Sequence, residues 1–189
     1  MMRKMTQAAL VACLAVMATA AMAGPPERYL HVRVEDAANG ESVNVNLPLS
    51  MAEKILPTVN HGNMHEGRVT ISHGDMEGID LRSILDAIRT AADNEFVTVK
   101  NHDQEVRVAK SNGNLVVHVR DSQKDGQKVD ITVPMKVVDA LFSTAKQDEL
   151  DIVAAIRALG DAGEILLVTV EDATQHVRIW VDSSAGQEK

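Results

Sequence analysis

Short segments of the chain alternate apolar and polar residues, which is the pattern of a β-strand with one buried face. In the first of these segments, Leu30, Val32 and Val34 alternate with polar side chains. The pair Asn39-Gly40 follows, and it supplies a turn that tolerates positive φ before a second alternating segment. The pattern therefore predicts a β-hairpin. Similar hairpins are predicted at residues 96–108, 117–133 and 167–181.

Four other segments carry apolar residues three and four positions apart, the spacing that gives a helix one apolar side. Two of them follow Pro48 and Pro134 directly, and Gly160 is placed to end the last one. The apolar sets are Met51, Ile55 and Leu56; Leu81, Ile84, Leu85 and Ile88; Val137, Val138, Leu141 and Phe142; and Ile152, Ala155, Ile156 and Leu159.

The same order of motifs occurs twice along the chain. Residues 43–49 (VNVNLPL) match residues 129–135 (VDITVPM) position by position. The other matching pairs are 30–34 with 117–121, 79–81 with 150–152, 97–99 with 168–170, and 106–108 with 177–179. Agreement in this order predicts an internal duplication.

Each unit reads as hairpin, two helices, hairpin. The predicted fold class is α+β, with two tandem copies of this module and with helices packed on one face of small antiparallel sheets. Module 1 spans residues 28–110 with an insert at about 58–78, and module 2 spans residues 113–183. The two modules are expected to pack together or to share a sheet, because the joint at residues 110–113 is short and favours close contact. Residues 184–189 are predicted to be a disordered tail.

These motifs resemble small modules of exported or membrane-associated bacterial proteins of the SHOCT-like, envelope-stress type. The resemblance is carried by the strand at Arg33, by V-x-V-x-[IL]-P-[LM] at residues 43–49, by I-D-[IL] at 79–81 and by the closing hairpin at 97–108. Here the module occurs as a tandem duplication. The resemblance implies an association with the bacterial envelope and no enzymatic activity.

The first 23 residues have the features of a secretory signal peptide. Arg3 and Lys4 precede an apolar run from residue 8 to residue 21, and an A-x-A sequence ends at Ala23. The run is too short to span a membrane. We therefore expect a periplasmic or secreted protein without a stable membrane span. A minor alternative is a lipoprotein, because residues 10–13 (LVAC) resemble a lipoprotein box with Cys13 as the lipidated residue.

Composition excludes several classes of protein. The 189 residues are 45% hydrophobic, which is too apolar for a disordered chain. Aromatic residues make up 2%, too few for a sugar-stacking lectin or a platform for single-stranded nucleic acid. A formal charge of -8 argues against nucleic-acid binding in general. Cleavage after Ala23 would leave no cysteine, so no disulfide is expected.

The predicted insert contains the residues best suited to a metal. His61, His65 and His73, with acidic residues among them, offer nitrogen and oxygen ligands for zinc or copper. Their spacing fits no defined metal motif. The alternative interpretation is a mobile surface loop with a short strand.

Basic residues next to inward-facing valines are predicted to project from the outer face of the sheet. They are His31, Arg33, Arg107, His118, Arg120, His176 and Arg178. Such a face suits a partner or ligand that carries carboxylate or phosphate. The alternative is a solvated face with cross-strand salt bridges to Glu35, Glu105 and Asp121.

No catalytic motif occurs in the chain, so we expect neither an enzyme nor a cofactor. The sequence favours an exported, non-catalytic envelope protein that binds another envelope protein or a peptide. An added strand on an exposed sheet edge would provide the contact, with the basic face supplying charge complementarity. The alternatives are zinc or copper binding through the insert, and a hydrolase of unrecognised type.

Overall fold

The computed structural model describes residues 26–70, 81–121, 126–146 and 148–186. The predicted signal peptide with Cys13, the end of the predicted tail, and His73 with the rest of 71–80 lie outside the described residues. Strands account for 50% of the structure and helices for 24%.

Eight strands form the main sheet. They are β1 (Tyr29–Asp36), β2 (Glu41–Pro48), β6 (Asn94–Lys100), β7 (Gln104–Ser111), β8 (Asn114–Asp121), β9 (Lys128–Pro134), β11 (Ile165–Glu171) and β12 (Gln175–Asp182). Short strands form a second sheet: β3 (Asn60–His61), β4 (Met64–His65), β5 (Arg68–Thr70) and β10 (Glu149–Asp151). The α-helices are α1 (Leu49–Ile55), α2 (Leu81–Thr90), α3 (Met135–Leu141) and α4 (Ile152–Ala162), and a 3₁₀ turn covers Leu56–Thr58.

The main sheet is antiparallel throughout, in the order β2-β1-β12-β11-β9-β8-β7-β6. Its first and last strands in the sequence are neighbours, with Tyr29 opposite Asp182. A tight turn at Asn112 and Gly113, both with positive φ, joins β7 directly to β8. The predicted joint between the modules is therefore a turn inside the sheet.

The predicted α+β fold, with helices packed on one face of small antiparallel sheets, is wrong, because strands predominate and the long strands form one large sheet. All four long hairpins share one sheet. The hairpins predicted for module 1, β1–β2 and β6–β7, lie at its two ends, and those of module 2 lie between them. Alternation of apolar residues fixes which face of a strand is buried, but it does not choose the neighbouring strand. A single sheet also leaves fewer open edges than two separate sheets.

Two rows of apolar side chains cross all eight strands on one face. One row is Val45, Val32, Ile179, Val168, Ile131, Val117, Val108 and Val97. The other is Val43, Val34, Val177, Val170, Val129, Val119, Val106 and Val99. Side chains of this branched shape pack well across strands, which explains why these segments pair in this register.

The helices cover one part of the sheet. Leu49, Val137, Ala155, Leu159 and Val181 form a buried cluster that joins α1, α3 and α4 to β12. Helices α1 and α3 both begin after a proline with φ near -57°, a backbone angle already suited to a helix start. Helix α4 begins at a true cap, because the carboxylate of Asp151 accepts a hydrogen bond of 2.8 Å from the amide of Ala154.

The described part of the predicted insert is packed against the body of the protein. It supplies β3, β4 and β5, and β5 pairs with β10 just before α4. The carbonyl of Gly67 accepts a hydrogen bond of 3.1 Å from the amide of Ile152. In the part of the chain that the structure describes, no helix is long and apolar enough to cross a membrane.

Candidate functional site

The β2 edge is an exposed apolar feature of the sheet near the predicted basic residues. β2 pairs with β1 on one side, and among the described residues no strand pairs with its other side. Val43 and Val45 are 54% and 44% exposed. An edge of this kind presents unpaired main-chain groups together with an apolar surface, which is what an incoming strand requires.

A groove of about 200 Å³ lies beside this edge, on the polar face of the sheet. The lining side chains come from three neighbouring strands: Asn44 and Asn46 from β2, His31 and Arg33 from β1, and Trp180 and Asp182 from β12. A segment that pairs with the free side of β2 would lie beside this groove, separated from it by β2. We call the β2 edge and the groove together the edge site.

His31 forms the floor of the edge site. Its side chain is 2% exposed, although it lies on the polar face. The ring stacks on Trp180 with centroids 4.8 Å apart, and Nδ1 and Nε2 lie 2.6 Å from Asn46 Oδ1 and 3.0 Å from Asp182 Oδ1. One histidine therefore ties β1 to both of its neighbours.

Asp182 is the anionic group of the edge site. Burial alone would raise its pKa, but hydrogen bonds from Ser184, Trp180 and His31 lower the pKa to about 2. The Ser184 hydroxyl and amide donate to Oδ1 at 2.6 and 2.7 Å, and the indole of Trp180 donates to Oδ2 at 2.9 Å. Asp182 is therefore ionised and held in place at neutral pH.

A positively charged side chain, Arg178, also contacts Trp180. The guanidinium of Arg178 lies 4.9 Å from the centroid of the Trp180 ring, a cation–π contact. Arg178 stands directly opposite Arg33 across the β1–β12 ladder. Like charges in such a position destabilise a sheet, and a carboxylate bound near them would relieve the repulsion. In the described part of the chain, Arg178 forms no ion pair.

The basic residues at the far end of the sheet are paired with acids instead. Asp130 accepts hydrogen bonds from Nδ1 of His118 and from Arg120 at 2.5 Å, and these bonds lower its pKa against the effect of burial. Arg107 donates to Glu105 at 2.7 Å. The Asp130 contacts join β8 to β9, whereas Arg107 and Glu105 lie on the same strand, β7. Of the three acids expected to pair with this face, Glu105 is the one in this cluster, and Asp130 was not predicted.

Strand register places the seven predicted basic residues on one face, but in three separate places. His31 and Arg33 line the groove of the edge site, and Arg178 stands next to it, opposite Arg33. Arg107, His118 and Arg120 form the salt-bridged cluster, and His176 lies near the start of β12 between Glu35 and Glu171. Asn44 and Asn46 were not predicted, although their alternation with Val43 and Val45 could have placed them on this face. Trp180 and Asp182 were missed with them.

The predicted metal ligands lie in the second sheet. His61 is opposite Met64 and His65 is opposite Asn60 in the β3–β4 pair. Among the described residues, no group of three side chains of the metal-binding types could hold an ion, and His73 is not among the residues described. Zinc or copper binding stays a prediction.

Residues 28–109 match the family model described as YvlB-like protein, C-terminal domain. The match covers less than half of the chain and runs from β1 into β7. This finding corrects the SHOCT-like resemblance, because the matching family is a different one and the fold is mostly sheet rather than a SHOCT helix pair. The similar segment supplies both ends of the main sheet, and the remaining strands lie between them.

Neither the curated proteins nor the solved structures contain a match to this chain.

Proposed function

We propose that this protein is an exported, non-catalytic bacterial envelope protein that binds an extended segment of another envelope protein or a peptide. The segment adds to the main sheet as a strand next to β2. The observation that carries the proposal is the open β2 edge, with Val43 and Val45 exposed beside the polar groove. Export is inferred from the signal-peptide features of residues 1–23.

The two faces of β2 define the chemistry of the ligand. Side chains of an added strand point alternately to either face of the sheet. Those on one face extend the apolar rows that end at Val43 and Val45, so they are apolar. Those on the other face lie beside Ser42, Asn44 and Asn46 of β2, so they are polar. The expected ligand alternates apolar and polar residues.

The groove is built for binding rather than for proton transfer. A general base needs a side chain that reaches the substrate. The ring of His31 is buried, and both of its nitrogens face oxygen atoms of Asn46 and Asp182. The ionised Asp182 in turn is engaged by its hydrogen-bond donors. These contacts support a non-catalytic protein over a hydrolase.

Site-specific photo-crosslinking in cells tests the proposal. A photoreactive amino acid replaces Ser42 on β2 or, as the matched control, Lys128 at the equivalent position of the interior strand β9. We expect a discrete crosslink to an envelope protein from position 42 and none from position 128, because β2 has an open side whereas β9 is paired on both sides.

Two further variants connect the crosslink to the edge site. Arg33→Gln is expected to weaken the crosslink from position 42 several-fold, because Arg33 Nε donates a hydrogen bond of 3.1 Å to Asn44 Oδ1 on β2. Arg107→Gln is expected to leave the crosslink unchanged, because Arg107 lies at the far end of the sheet and is held by Glu105. Thermal melts check that both variants fold. The proposal fails if position 42 gives no crosslink, or if positions 42 and 128 give the same products.

A further inference from the structure

The main sheet has a second open edge, formed by β6 at the end opposite to β2. β6 pairs with β7, and no strand in the described ranges pairs with its other side. Val97 and Val99 are 47% and 54% exposed, much like the two valines of β2. Both apolar rows of the sheet therefore end in exposed valines at both edges.

The interior junction between β9 and β11 shows which strand fits these edges. Residues 129–131 of β9 and 168–170 of β11 match residues 43–45 of β2 and 97–99 of β6 in sequence. Inside the sheet β9 and β11 pair directly, with Thr169 opposite Asp130. The open edges β2 and β6 therefore resemble β9 and β11 in sequence, but β2 and β6 are not paired with each other.

Local structure supports this correspondence. β2 and β9 each lead into a helix through a proline with nearly the same backbone angles. β6 and β11 each shift register against the following strand at matching positions, before Val97 in β6 and before Val168 in β11. A bulge at the same place gives both strands the same local twist, so they accept the same neighbour.

We propose that β2 of one copy of this protein pairs with β6 of a second copy, antiparallel and in the register of the β9–β11 junction. The paired residues are then Val45 with Val97, Asn44 with Thr98, Val43 with Val99, and Ser42 with Lys100. Both apolar rows continue from one molecule into the next, and no like charges meet. The inference rests on the proposed function, because it uses the same β2 edge and names the partner.

The contact is heterologous, because each copy offers one β2 edge and one β6 edge. Contacts of this type close into a ring when the rotation between copies allows it, and otherwise they extend into a filament. In either assembly the exposed valines and free main-chain groups become covered. Such coverage is how proteins remove the hazard of open sheet edges.

Disulfide trapping tests the register. In a Cys13→Ser background, four single variants are made: Ser42→Cys, Asn44→Cys, Thr98→Cys and Lys100→Cys. They are purified as exported proteins with tags of different size and then oxidised in pairs. We expect heterodisulfides from 44 with 98 and from 42 with 100. The shifted pairs, 42 with 98 and 44 with 100, should give at least about tenfold less, because a disulfide tolerates only a narrow Cα distance.

Two double variants complete the experiment. Lys128→Cys with Glu171→Cys is the positive control, because these residues already face each other inside the sheet. Asn44→Cys with Thr98→Cys in one chain asks whether the edges close on each other within a molecule. A disulfide formed within single chains of this variant overturns the inference. Equal disulfide yields from all mixed pairs, or no disulfide in any of them, overturn it as well.

The outcome also separates this inference from the proposed function. A crosslink from position 42 to a different protein, without register-specific disulfides, overturns pairing between copies and leaves strand addition at β2 intact. A crosslink from position 42 to a second copy, with the expected disulfides, supports both. Absence of both signals overturns both.

Discussion

His31 holds three strands together through one side chain. Its ring lies between Asn46 of β2 and Asp182 of β12, and it stacks on the only tryptophan of the chain. The only tyrosine, Tyr29, lies 6.2 Å from the same ring between centroids. In a protein with few aromatic residues, their concentration here marks the anchor of the edge site.

Asp182 makes this anchor sensitive to acid. Its pKa of about 2 lies below the ordinary value of 3.8, so its stabilising effect is fully present above about pH 4 and is lost as the pH falls through 2. We expect Asp182→Asn to lower the free energy of unfolding at pH 7 by about 1–2 kcal/mol, allowing for partial exposure of the carboxylate. Urea unfolding at pH 7 and pH 2 measures the difference, which should nearly vanish at pH 2. The explanation would be contradicted if the difference in unfolding free energy between the wild type and the variant were the same at both pH values.

At this scale the sequence predicted which basic residues share a face, because strand alternation is a local property. The pair Arg107–Glu105 lies within β7 and is local too. The sequence could not predict that Arg178 stands opposite Arg33, because that depends on which strands are neighbours.

The elements show where a glycine is required. Gly67 has a φ of +75°, and a Cβ at this position would lie 2.3 Å from Cγ2 of Val153 on α4. Gly40, in the turn between β1 and β2, has a φ of +67° and open space around it. Replacing either glycine with alanine would strain the backbone, but only the replacement at Gly67 would also cause a packing clash.

We expect Gly40→Ala to destabilise the protein by about 1 kcal/mol through backbone strain alone. Gly67→Ala adds a clash with a core helix, so a cost of about 2–4 kcal/mol is expected. Thermal or urea unfolding of both variants provides the measurement. Equal costs would mean that the segment around Gly67 is not packed against α4.

Elements with a strong local signal were predictable. The hairpins β1–β2 and β8–β9 and the helices after Pro48 and Pro134 lie where the residue pattern predicts them. The pairing of β5 with β10 was not predictable, because its three-residue strands are held mainly by contacts distant in sequence.

The whole molecule is organised by one sheet whose ends come from the same part of the sequence. β1–β2 and β6–β7 stand at opposite ends, although both belong to the segment that resembles a YvlB-like domain. Residue patterns encode strand faces but not strand order, so the predicted small sheets were wrong. The interleaved order is also what leaves β2 and β6 open while β9 and β11 are paired.

Hydrogen–deuterium exchange along the main sheet tests the central claim, that β2 and β6 are open edges in the single molecule. Peptides from β2 and β6 are compared with the matching peptides from β9 and β11, first in dilute protein and then in concentrated protein. In dilute protein we predict fast exchange at about every second amide of β2 and β6 and slow exchange throughout β9 and β11, since only the interior strands are bonded on both sides. In the concentrated protein, exchange should become slower in both β2 and β6. Equal protection of all four strands in dilute protein would show that the edges are already paired within the chain, and it would contradict the account.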